Sequence, residues 1–109
     1  MLEGLYKIKY RTPEREGFGI CVLKDGQVVG GGDVLYFTGH YTERGHWLVG
    51  DLQAKRHAPV SEASPILGLD AFHVHLEGSA YGGFMQVSAQ IAEAPNISVH
   101  ANLTHLPDL

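Results

Sequence analysis

Two imidazoles and a carboxylate fall at alternate positions in His73-Val74-His75-Leu76-Glu77, and in an extended chain alternate side chains share one face. That spacing could present His73, His75 and Glu77 to one divalent cation, with His46, His57 or His100 as candidates for a further ligand. The competing expectation is a solvated strand face, because Phe72, Val74 and Leu76 interleave with those residues and claim the core. Two histidines leave the coordination number and the supporting hydrogen bonds of a metal unsupplied, so the solvated face is preferred and no metal or cofactor is assigned. Asp33 and Asp51 adjoin apolar runs, where burial would raise a carboxyl pKa as in a general acid, yet neither has a partner carboxylate assigned nearby. No serine stands in a Gly-x-Ser-x-Gly elbow. The glycines at 30–32 lack the Lys-Ser or Lys-Thr and the helix that complete a phosphate loop. A non-enzymatic protein with no catalytic residue is the expectation.

The elements around these residues read as strands. Tyr6, Ile8 and Tyr10 alternate with Lys7, Lys9 and Arg11, the period-2 pattern of a strand with one buried and one solvated face. Asp25-Gly26 is the strongest hairpin signal, since a two-residue type I′ turn needs positive φ. Gly30-Gly31-Gly32 predicts a bulge, a bend or a close backbone approach before a strand over 33–40. In His46 to His57 the burial parity is ambiguous: Leu48, Leu52 and Ala54 oppose Trp47, Val49 and Asp51. Residues 58–70 form the longest irregular connection, with a helical turn starting at Ser61. Three clean alternations follow, around Phe72–Leu76, Met85–Ile91 and Ile97–Leu103. Seven or eight strands with short connections close most simply into an up-and-down antiparallel β-barrel, lipocalin-like and all-β, with at most one short helix, because closure removes open edges.

At 109 residues the chain is read as one β-barrel domain, 1–109. The 44% hydrophobic and 18% charged content suits a soluble domain. A formal charge of −4 without a Lys/Arg cluster argues against direct nucleic-acid binding, and the lack of a signal-like or spanning apolar run predicts a cytoplasmic protein with no membrane attachment. Cys21, the single cysteine, is expected to be a buried, inert thiol.

A barrel of about eight strands has room for side chains or one small ligand. The expected lining on the first half is Tyr6, Ile8, Phe18, Ile20 and Trp47. The second half adds Phe72, Val74, Met85, Val87, Val99 and Leu103. A small apolar ligand entering such an interior should change Trp47 fluorescence.

The order Gly4-x-Tyr6, Gly17-x-Gly19-Ile20, Lys24-Asp25-Gly26, Gly31-Gly32-Asp33 and Gly39, followed by His73-Val74-His75, resembles the GrlR-type negative regulators linked to type III secretion, over Gly4 to Pro95. The resemblance implies a homodimeric lipocalin-like barrel that binds a protein partner, a transcriptional activator of helix-turn-helix type, and keeps it from DNA. It also implies partner contact through a surface loop, here Tyr41, Thr42, Glu43, Arg44, Gly45 and His46. Members of known role carry an acidic loop there; this chain keeps Glu43 beside Arg44. Three readings follow: a protein-binding regulatory barrel, a lipocalin-like binder of a small apolar molecule, and a metal-dependent enzyme. The third has a His-x-His pair like that of the cupin family, but Glu77 stands too close and no proline-glycine turn follows.

Overall fold

A computed structural model describes residues 3–13, 15–58 and 69–106. These form eight strands: β1 (Gly4–Arg11), β2 (Glu16–Lys24), β3 (Gln27–Gly31), β4 (Leu35–Arg44), β5 (Trp47–Arg56), β6 (Ala71–Tyr81), β7 (Phe84–Ile91) and β8 (Ser98–His105). Each pairs antiparallel with the next and β8 returns to β1, closing the barrel. Closure gives every strand two neighbours and leaves no open edge. No helix occurs among the described residues. The helical turn expected at Ser61 lies outside them.

Three tight hairpins gather at one end of the barrel. Asp25 and Gly26 both take positive φ, 53° and 76°, the expected I′ turn. Gly82 and Gly83 repeat it, at 56° and 84°. Gly45 leads the β4–β5 turn at φ 59°, so residues 41–44, expected in a loop, are in fact the end of β4. The glycine run works by close approach. A side chain on Gly30 would fall on the Ile20 carbonyl oxygen, and one on Gly32 would lie 2.8 Å from that of Phe18. Backbone atoms cannot yield as side chains do, so β2 and the exit of β3 lie this close only without Cβ atoms.

The hairpin end is packed solid by Tyr6, Cys21, Leu23, Val28, Tyr41, Leu48, Ala80, Met85, Val87 and Leu103. Cys21 is 1% exposed, and burial pushes its thiol up to about 12, which leaves it protonated and unreactive at neutral pH. The opposite end, where the longer connections run, has a smaller cluster of Ala54, Phe72, Ile91 and Val99 flanked by Tyr10, Leu35 and Phe37.

The outer wall has two characters. Over β5 to β7 it carries Asp51, Gln53, Lys55, His73, Glu77, Gln86, Ser88 and Gln90, all exposed. Over β2 to β4 it carries exposed Phe18, Ile20, Val22, Val29 and Tyr36. Val22 pairs directly with Val29, and Gly31 sits between Ile20 and Tyr36, so these residues form one apolar patch. Trp47, Tyr81 and Phe84 are also exposed, near the hairpin end of β5 to β7.

Candidate functional site

An apolar cavity occupies the barrel interior, with a volume of about 560 Å³, within the range of small-molecule sites. It runs from Leu23, Val28, Tyr41 and Leu48 near the packed end, past Ile8, Leu52, Phe72, Val74, Val87, Ala89, Ala101 and Leu103, to a mouth at Arg15, Glu16, Gly17 and 32–34. Its wall is made by alternation, since each strand turns one parity inward. Space remains because several inward residues are small: Gly17, Gly19, Ala54, Ala89 and Ala101. Tyr10 pairs with Gly17, and a Cβ on Gly17 would collide with the Tyr10 phenol. The missing side chain is therefore what lets the ring lie across β2 at the mouth. Burial raises the Tyr10 phenol pKa, keeping the hydroxyl protonated as a hydrogen-bond donor at neutral pH.

Ile8, Phe72, Val74, Val87 and Leu103 line the cavity as the sequence predicts. Tyr6, Met85 and Val99 are buried but pack the wall and floor rather than the cavity. Ile20 and Trp47 are corrected: both lie on the outer surface, 50% and 49% exposed. Phe18 meets the cavity at its mouth yet is 68% exposed, so it too belongs to the outer wall. The reason is register. Phe18 pairs with Lys9 and Ile20 with Lys7, and directly paired residues share a face, so solvated lysines on β1 carry the large apolar residues of β2 outward. Trp47 stands at the hairpin end of β5, next to the lining residue Leu48 and away from the cavity mouth. Leu48, Leu52 and Ala54 take the inward parity left open in β5.

Of the loop assigned to partner contact, Tyr41 is buried and points into the barrel. Thr42, Glu43, Arg44, Gly45 and His46 are exposed. His46 stacks on Tyr81 with ring centroids 4.4 Å apart, and its Nδ1 lies 3.2 Å from the Ala80 carbonyl oxygen, so its imidazole is held against β6.

The histidine strand faces solvent and is tied to carboxylates. His75 Nδ1 lies 2.8 Å from Asp51 Oδ1 and Nε2 lies 3.0 Å from Glu77 Oε2. Only the imidazolium donates through both nitrogens at once, so Asp51 first and Glu77 second raise the His75 pKa. Glu93 accepts from the His73 backbone N–H at 2.8 Å and lies 2.8 Å from its Nδ1. The Gln53 amide donates to His73 Nε2 at 3.2 Å. Each ring nitrogen on this face thus already has a partner. Among the described residues no group of three or more His, Cys, Asp or Glu is arranged to hold a metal ion. Asp51 and Asp33 are exposed, in keeping with the surface acids expected of them.

A raised folded-state pKa for His75 adds stability that is fully present below the unfolded value of about 6.5 and is lost as pH rises through the folded value. The pair is solvent-screened, so the effect stays under about 1 kcal/mol. Proton NMR titration should place the His75 midpoint above 6.5, and Asp51→Asn should lower it more than Glu77→Gln does. A midpoint unmoved by either substitution would show that these contacts do not form in solution.

No model of a known protein family matches the chain, and comparison with curated proteins found no significant match.

Proposed function

We propose that this barrel is a non-catalytic binding protein whose interior takes up one small, largely apolar molecule. The carrying observation is the apolar cavity of about 560 Å³, open at one end and walled by aliphatic and aromatic side chains. Uptake removes apolar ligand surface from water without reorganising the barrel. The charged lining side chains Arg15, Glu16 and Asp33 all stand at the mouth, where they stay hydrated while the ligand body lies deeper.

The test uses N-phenyl-1-naphthylamine, a neutral probe that brightens in apolar surroundings. Saturable binding near 1:1 is expected, with Kd on the order of micromolar, about −8 kcal/mol. Ala89→Trp, which fills the middle of the cavity, should weaken it by at least about tenfold, or about 1.4 kcal/mol, while circular dichroism stays that of the native barrel. Absence of probe binding by the native protein would sink the reading.

A second reading is favoured by the outer patch of Phe18, Ile20, Val22, Val29 and Tyr36: a homodimer formed through the β2–β4 wall. A two-fold axis along the strands would set the Lys7 and Lys9 row of one copy against Tyr36 and Thr38 of the other, not against its own like charges. Lysine over the Tyr36 ring would add a cation–π contact. In the regulatory role that the GrlR resemblance implies, this dimer would be the form that meets a transcriptional activator.

A further inference from the structure

The outer wall over β5 to β8 carries a groove of about 440 Å³, on the solvent side of the sheet that encloses the interior cavity. Its residues stand opposite one another in the strand register. Trp47 pairs with Ser79, Ser79 with Gln86 and Gln86 with Asn102, so these four cross the sheet as one row, about 14 Å long at three strand spacings. A second row, one step along the strands, holds Glu77, Ser88 and His100. All seven line the groove, and directly paired residues share a face. Gly78 fixes the alignment. A side chain there would fall on the Gln86 carbonyl oxygen and lie 2.6 Å from the Val87 Cα, so β6 and β7 approach this closely only without a Cβ. The rows are therefore set by backbone before any ligand arrives. Trp47 is 49% exposed at one end of its row. An indole left against water is a costly way to build a plain solvated wall, and beside a line of amides and hydroxyls it makes a platform for a ligand that is apolar on one side and polar along its edge.

We propose that this groove binds a neutral oligosaccharide of glucose-like sugars, with one pyranose ring stacked on Trp47 and the hydroxyls of the next hydrogen-bonded along the row. A pyranose with equatorial hydroxyls presents weakly positive C–H groups on both ring faces, which suit the negative face of the indole. Its hydroxyls each donate and accept. The Gln86 and Asn102 amides do the same from adjacent atoms, so each can hold a neighbouring pair of hydroxyls. The charges select against an anionic chain. Glu77 is the carboxylate of the groove, and its Oε2 lies 3.0 Å from His75 Nε2, which leaves Oε1 to accept from a sugar hydroxyl. Among the described residues no lysine or arginine lines the groove. Lys9 and Arg11, beyond its far edge opposite Asn102 and His100, are held by Glu16 at 3.4 Å and 3.0 Å. A phosphate chain would therefore meet Glu77 without the cations that nucleic-acid binding requires. The apolar β2–β4 patch is on the opposite wall of the barrel, so its occupancy would not cover this groove.

Trp47 is the single tryptophan, so its emission reports this groove directly. The experiment titrates the native protein with cellotetraose, a neutral chain of such sugars, and with the cellouronic acid tetramer, the same chain with carboxylates at C6. Cellotetraose should shift the Trp47 emission to shorter wavelength and saturate, with Kd on the order of 1 mM or below. The acid tetramer should bind at least about tenfold more weakly, as like charge against Glu77 implies. Gln86→Ala, which keeps the reporter, should weaken cellotetraose binding by at least about fivefold, and Trp47→Ala should abolish the heat of binding in titration calorimetry. Both positions are exposed, so the circular dichroism of each variant should stay that of the native barrel. No emission change with cellotetraose up to about 10 mM, tenfold above that Kd, overturns the proposal. So does equal or tighter binding of the acid tetramer, or cellotetraose binding that neither substitution alters. A Trp47 response to oligothymidylate and not to cellotetraose would put single-stranded nucleic acid on the platform instead, and overturns it equally.

Discussion

Met85→Ala should unfold the barrel some 12–24 °C earlier on heating, given roughly 4–8 °C per kcal/mol for a domain of this size and a loss of about 3 kcal/mol. Met85 is 0% exposed and pairs with Ala80 on β6 and Leu103 on β8. Its neighbours in the packed end include Tyr6 and Val87. They are held by a closed hydrogen-bonded cylinder that cannot collapse into the space a deleted thioether leaves, so the cavity term adds to the lost transfer energy. Met85→Leu, which keeps the volume, should cost under about 1.5 kcal/mol. Differential scanning calorimetry separates the two. Because Met85 lies outside the lining of the ligand cavity, the alanine variant should still bind the neutral probe at temperatures where it is folded. A loss below about 1 kcal/mol would mean that the packed end relaxes freely, contrary to the rigidity assigned to it.

Val29→Glu should convert a dimer into a monomer while leaving the barrel intact. Val29 is 55% exposed on β3 and opposes Val22 at the middle of the apolar wall. A carboxylate there would be buried unpaired against its symmetry mate on association, raising the dimer Kd by at least about a hundredfold, or about 2.7 kcal/mol. Sedimentation velocity on the native chain should give twice the 11.9 kDa protomer mass, and on Val29→Glu the protomer mass. Ser88→Glu, on the polar wall across β7, serves as the matched control and should stay dimeric. A native protein that sediments as a monomer at about 100 µM, far above the Kd expected of a stable interface, would leave the patch without the occupant proposed for it.

The exposed β2 residues also show where sequence reading stops. Phe18, Ile20 and Val22 are the larger apolar set of their strand, and size and hydrophobicity alone assign them inward. Gly17, Gly19, Cys21 and Leu23 take that side instead. A signal was present in Cys21, a residue type among the most buried, which shares the parity of Leu23 and opposes Phe18, Ile20 and Val22. Its expected burial and their expected burial are incompatible in a two-faced strand. The low exposure of the Arg56 side chain, 12%, was missed for a different reason. The residue closes a polar run, Gln53-Ala54-Lys55-Arg56, in a strand of ambiguous parity, and nothing local distinguishes it from the solvated Lys55.

The amino-acid sequence by itself determined the all-β class, the strand succession, the I′ turn at Asp25-Gly26, a special backbone geometry at 30–32 and the solvated face of His73, His75 and Glu77. All of these follow from period-2 alternation and turn chemistry, which act between residues close along the chain. Tertiary structure alone decided the return of β8 to β1, the outward turn of Phe18, Ile20 and Trp47, and the empty volume beside Ala89 and Ala101. These depend on which residues stand opposite one another across strands far apart in the chain. A one-residue shift of register exchanges inside for outside, so closure, not composition, chose what the barrel holds.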